Sequence, residues 1–179
     1  FTSDNGPART GFHPHGETGS LRDRKGWLTE GGIRVPGILR WPGKTRPSST
    51  SDVPISGVDL LPTLCEITGI DTPADRAIDG SSFLPLLAGK PMERRTPLYW
   101  HFYAASGKPK VAMRIGDWKI LAHLDAPEIT KRVDLTALDQ KTLKTAKLGK
   151  FELYNLRKDP SESNDLASSE TDRLEIAAK

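Results

Sequence analysis

The chain has 179 residues, 26 Lys and Arg against 23 Asp and Glu, 36% hydrophobic residues and one Cys. At about 150 residues per domain this holds one domain, or one and part of another, and a lone Cys excludes an internal disulfide. No window approaches the ~18 consecutive apolar residues of a membrane-crossing helix, and four Trp, three Tyr and five Phe in a chain 27% charged belong to a folded rather than a disordered protein.

The chain opens at Phe1 with no initiator Met, no basic leader and no apolar stretch, so it reads as a fragment of something longer. Residues 1–50 hold eight Lys and Arg against four Asp and Glu. That surplus suits a small anion. Nucleic acid is not expected, because a pI near 9.0 is only mildly basic and no aromatic-interleaved Lys/Arg stripe or zinc-finger spacing occurs.

Phe1 to Asp4 reads as a strand entering the turn Asn5-Gly6-Pro7. From Ala8 to Gly32 there is no period, only Gly, polar and charged residues. A loop of that length is expected to be functional. Ile33 to Trp41 carries the β-branched and aromatic residues of a strand, with Pro36-Gly37 as an irregularity. A helix is predicted from Asp59, as N-cap, to a left-handed C-cap at Gly69, burying the face of Leu60, Leu61, Leu64 and Ile67. Cys65 falls on that face and reads as a small buried hydrophobe. A shorter helix follows Ser81 or Ser82 and runs through Leu87 to stop at Gly89.

Beyond Pro91 the pattern changes to strands: Leu98 to Tyr103, a hairpin of Lys110 to Ile115 and Trp118 to His123 about Gly116-Asp117, and Phe151 to Leu156. Between the last two, Lys131, Arg132, Lys141, Lys144, Lys147 and Lys150 with four interspersed Leu suggest a surface amphipathic helix, a candidate contact for a sulfated glycan. Thr171 to Lys179 reads as a closing helix capped by Thr171 or Asp172. The division expected is 1–95, α/β in character, and 96–179, a small α+β unit.

Two groups stand out chemically. Asp4 beside Asn5 presents two hard oxygen donors, as a divalent cation requires, although Asp-Asn-Gly-Pro is also an ordinary turn. Lys25, between Arg24 and Gly26, sets a compact ammonium in a loop whose glycines let the backbone approach an anion. His13 and His15 lie between these two motifs, His15 as a candidate substrate contact, whereas His101 and His123 fall in or beside strands.

Taken in order, Phe1 to Pro7, Leu21 to Gly26, Glu30 to Pro36, Arg40 to Gly43, Val58 to Leu64, Gly116 to Lys119, Glu152 to Leu156 and Asp159 to Ala167 resemble the C-terminal portion of a type I sulfatase. The resemblance covers nearly the whole chain. It implies the C-terminal part of an alkaline-phosphatase-like α/β sandwich, then a small antiparallel sheet with a C-terminal helix. It further implies calcium at Asp4 and Asn5, sulfate at Lys25 as a catalytic and substrate-binding residue, and a secreted, periplasmic or lysosomal parent. The family's formylglycine arises from Cys or Ser in a Cys/Ser-x-Pro/Ala-x-Arg motif, which Cys65-Glu66-Ile67-Thr68-Gly69 does not match. The family's acidic calcium ligands from its first strand, and its central Lys and His, are also absent. The chain therefore carries one side of an active site, is expected to be inactive alone, and needs the N-terminal half of the sulfatase domain as partner. A phosphonate or phosphodiester hydrolase of the same superfamily and a non-catalytic glycan-binding module are the alternatives.

Overall fold

A computed structural model describes residues 1–10, 14–108, 110–127, 129 and 134–177. They fall into two compact units, Phe1 with residues 38–98, and residues 2–37 with 99–179. Among the described residues no helix is long and apolar enough to cross a membrane.

In the first unit, helix α2 spans Leu60–Thr68 and ends at Gly69, whose φ of 69° is the left-handed value that a residue without Cβ adopts freely. Asp59 stands at the N-cap position of this helix, as expected, but its side chain makes no capping bond within it. It closes a short 3-10 turn over Gly57–Asp59, and its fully buried carboxylate accepts from the backbone N–H of Ser56 at 2.7 Å and Ser81 at 2.9 Å, and from the Arg94 guanidinium at 2.6 and 2.9 Å. Burial pushes the Asp59 carboxyl up, but these donors outweigh it and hold it below the ordinary carboxylate range. The expected buried face of α2 is exposed: Leu60, Leu61, Leu64 and Ile67 range from 38 to 57% accessible, and Cys65 is half-buried. Thr63 is the buried position instead, its hydroxyl donating to Asp59 O and accepting from Phe83 N–H. Periodicity identifies an apolar face but not what covers it. Helix α3 is one turn, Leu84–Leu87, before Gly89 with φ 71°.

The second unit is built on a four-stranded sheet in the order β1-β2-β3-β4: β1 Leu98–His101, β2 Val111–Ile115, β3 Trp118–Asp125 and β4 Lys147–Asn155. β2 and β3 form the predicted antiparallel hairpin, Ile115 opposite Trp118 and Gly116 turning at φ 58°. β4 runs antiparallel to β3, with an irregularity between Leu121 and His123. It starts four residues earlier than expected, so residues 147–150 are strand and the surface helix is α4, Ala137–Thr145. Thr136 and Asp139 close a capping box that sets the start of α4. Lys131 and Arg132, part of the proposed glycan contact, lie outside the described residues. Helix α5, Thr171–Ala177, lays Arg173 over the Trp118 ring at 4.2 Å.

Segment 2–37 contains one helical turn, α1, Glu30–Ile33. The strands expected at 1–4 and 33–41 do not form. Phe1 and Ile38 exchange two backbone bonds of 2.6 and 2.8 Å, but no ladder extends from them. Internal bonds order the loop: Gly6 N–H to Gly32 O at 2.8 Å, Lys25 N–H to Pro7 O at 3.2 Å and Gly31 N–H to Arg22 O at 2.8 Å. Leu28 joins Ala105, Ala112, Leu121, Tyr154 and Leu156 in one core, with Ile33 and Trp100 against it. Beneath that core lies an ion cluster. The fully buried Lys119 ammonium is 3.0 Å from Glu30 Oε1 and 2.8 Å from Glu162 Oε1, and Glu162 Oε2 accepts the Glu30 N–H at 2.7 Å. Burial pushes the Glu162 carboxyl up, and Lys119 pulls it partly back.

Truncating Arg94 to Ala strands the buried Asp59 carboxylate and should cost about 3–5 kcal/mol in urea unfolding. The Asp59 carboxyl is lowered in the folded state, so its stabilisation is present above the ordinary carboxylate pKa of about 4 and is lost as pH falls through the folded value. The stability difference between wild type and Asp59→Asn should therefore shrink in acid. A Cβ at Gly6 would fall on the Gly31 carbonyl, whereas one at Gly37 meets open space. Gly6→Ala should lower stability by about 1–3 kcal/mol in thermal melts and Gly37→Ala by less than about 0.5 kcal/mol.

Candidate functional site

Lys25 stands in the sequence twenty residues from Asn5, yet both line one open cavity of about 770 Å³. The backbone explains the return. Pro7 follows the Gly6 that is bonded to Gly32, and its carbonyl accepts the Lys25 N–H, so the chain passes the same point twice. Glycine is required there because the two passes touch: Cβ atoms on Gly6, Gly31 or Gly32 would meet backbone oxygens. At Gly26 the chain leaves Lys25 with φ 97°, a left-handed value suited to glycine.

The cavity is lined by Ser3 to Ala8, by Glu17, Thr18 and Leu21 from the loop, and by Lys25 with Arg34 to Pro36. Asp4 is exposed and Asn5 half-buried, and the Ser3 hydroxyl bridges them, 3.4 Å from Asp4 Oδ1 and donating to Asn5 O at 3.0 Å. Lys25 is exposed. Arg34 is a second cation on the wall, its Nη1 3.9 Å from Glu30 Oε2. Two cations and two carboxylates thus share the space.

His15 is exposed and does not line the cavity, and His13 lies outside the described residues. His123 belongs elsewhere, 3.5 Å from Glu152, which also accepts from the Tyr154 hydroxyl at 2.7 Å and faces Arg22 at 3.3 Å. Burial, with Glu152 alongside, pushes the Tyr154 phenol up, so it stays a donor. Glu17, Thr18 and Arg34 were not legible as wall residues, because no period or spacing marks them. The motif order alone could have drawn attention to Arg34, two residues beyond Gly32.

Asp4 and Asn5 offer hard oxygens that fit part of a calcium shell, which takes about six to eight oxygens. Among the described residues no three His, Cys, Asp or Glu converge to hold a metal. Two side-chain donors fall short of that number.

A family model described as N-sulphoglucosamine sulphohydrolase, C-terminal, matches residues 16–146. Human arylsulfatase A is 35% identical over 170 residues, covering 93% of this chain and 32% of its own length. Rat steryl-sulfatase is 38% identical over 107 residues, covering 57% and 18%. The chain thus spans a third or less of these relatives. Among solved structures, the PsFucS1 sulfatase of Pseudoalteromonas sp. is 25% identical with a TM-score of 0.65, covering 99% of this chain and 36% of that one. A Bacteroides thetaiotaomicron protein, described in connection with the metabolism of multiple glycosaminoglycans, is 27% identical with a TM-score of 0.65, covering 99% and 38%. The antiparallel sheet and closing helix, the loop that returns Lys25 to Asn5, and these matches carry one conclusion: the chain belongs to the sulfatase family, as a C-terminal portion of its alkaline-phosphatase-like fold.

Proposed function

We propose that the parent protein is a sulfuric ester hydrolase that removes sulfate from a sulfated sugar or an aryl substrate, and that this chain supplies one wall of its active site. The observation that carries the reading is the shared cavity of Asp4, Asn5 and Lys25. In it Asp4 and Asn5 hold part of a calcium shell, and the Lys25 ammonium binds the sulfate. When bound, calcium offsets negative charge on the ester oxygens. Lys25 adds a fixed positive charge where the leaving group becomes anionic. His15 is assigned to the substrate side as a residue of the same loop. Residues 1–95 then belong to the catalytic domain and 96–179 to its C-terminal subdomain, and the parent is exported or lysosomal.

The nucleophile, a formylglycine, comes from sequence outside this chain, which has no Cys/Ser-x-Pro/Ala-x-Arg motif. The isolated chain is accordingly inactive. Its partner is the N-terminal half of the sulfatase domain, and the exposed apolar side chains Leu60, Leu61, Leu64 and Ile67 support a surface made for such a polypeptide.

In the intact enzyme Lys25→Ala should lower kcat/KM by about 10²-fold or more, in the manner of a lost oxyanion donor. Steady-state kinetics on an aryl sulfate within about twofold of wild type would sink the role given to Lys25. Asp4→Ala should weaken metal retention and be partly rescued by added calcium, read by metal content after dialysis. Parallel assay on an aryl phosphodiester separates this activity from phosphodiester hydrolysis, which should be the slower.

A further inference from the structure

We infer that Lys119 is a positioning residue for the Asp4, Asn5 and Lys25 cavity, acting through Glu30 and Glu162; this rests on the sulfate-ester reading above. Lys119 does not line the cavity. Its ammonium is wholly buried on β3 and stands 3.0 Å from Glu30 Oε1 and 2.8 Å from Glu162 Oε1. An ion cluster so deep keeps its geometry, because any displacement leaves a charge desolvated and unpaired.

The cluster grips the backbone as well as a side chain. Glu162 Oε2 accepts the N–H of Glu30 at 2.7 Å, so both ends of Glu30 are held. The two residues after Glu30 do not line the cavity but hydrogen-bond to segments that do. Gly31 N–H binds Arg22 O, three residues before Lys25, and Gly32 O accepts from Gly6, which follows Asn5. These passes are in contact, since a Cβ on Gly31 would meet the Arg22 and Asp23 carbonyls and one on Gly6 the Gly31 carbonyl. Close packing of this kind transmits a shift rather than absorbing it. Glu162 itself is held with φ 52°, a left-handed value unfavourable for a residue with Cβ, and such local strain persists where surrounding contacts dictate it.

A cluster that served stability alone would lower the melting temperature and leave the folded molecules normal. A positioning role changes the folded molecules themselves. The test uses the intact parent enzyme with Lys119→Met, Lys119→Arg and Glu162→Gln, and Arg94→Ala as a control that destabilises the unit of residues 38–98, none of which lines the cavity. Calcium affinity by titration calorimetry, kcat and KM on an aryl sulfate, and amide exchange are measured where each variant is folded. Lys119→Met should bind calcium about 10-fold more weakly, the low end of the loss when direct outer partners of metal ligands are removed, because Lys119 acts through Glu30 and the glycine backbone. It should lose kcat more than it raises KM, and expose the Gly6 and Lys25 amides to faster exchange. Lys119→Arg should recover part of each. Should Lys119→Met fail to fold, Glu162→Gln gives the same pattern more weakly, since it keeps an acceptor for Glu30 N–H and removes one charge. Calcium affinity and kcat/KM within about twofold of wild type, or losses equal to those of Arg94→Ala at matched melting temperature, overturn the inference. A wild-type enzyme without calcium-dependent aryl sulfate hydrolysis would instead overturn the functional reading, and the exchange pattern would still decide the role of Lys119.

Discussion

A lysine ammonium with no access to water, held between two carboxylates, ties residues 2–37 to the sheet formed in 99–155. The local balance of charge explains why the arrangement is tolerated. Glu30 and Glu162 face Lys119, while Glu30 Oε2 also lies 3.9 Å from both the Arg34 and Arg114 guanidiniums. Removing water from such groups is costly and their attraction only offsets it when the geometry is closed. The cluster is therefore a weak source of net stability, although removing one partner alone would be costly. Alternative packings of the loop on the sheet would leave at least one charge buried without its partner.

From that anchor the rest of the second unit follows. Leu28, two residues before Glu30, reaches the core of Ala112, Leu121, Tyr154 and Leu156. The glycines beyond Glu30 then allow the backbone of Gly6 to lie against Gly32. A loop with no regular secondary structure over most of its length thereby acquires a fixed shape, which is what a site on a loop needs if it is to hold an anion and a metal at set positions.

The first unit solves a similar problem with the opposite sign at its centre. Asp59, a buried carboxylate, collects two backbone N–H groups and a guanidinium. The outer face of α2 is left apolar and exposed. In a family whose members extend well beyond the matched segment, such an apolar face suits the docking proposed above.

Local steric and hydrogen-bonding preferences were legible in the residues themselves. The left-handed turns at Gly69, Gly89 and Gly116, the extent of α2 and the β2–β3 hairpin depend on neighbours a few positions away. The motif order also carried the family and brought together three residues, Asp4, Asn5 and Lys25, that line one cavity. Where the chain could choose among distant partners, sequence was silent or misleading. Asp59 holds the cap position of α2, yet its carboxylate serves Ser56, Ser81 and Arg94. Residues 147–150 have the composition of a solvated helix, yet pair with β3. Lys119 reads as a polar position in a strand, and its partner Glu30 is 89 residues away. Steric preference is a property of a residue and its neighbours, whereas the energy of burying a charge depends on which opposite charge arrives within about 3–4 Å of it, and only the tertiary fold decides that.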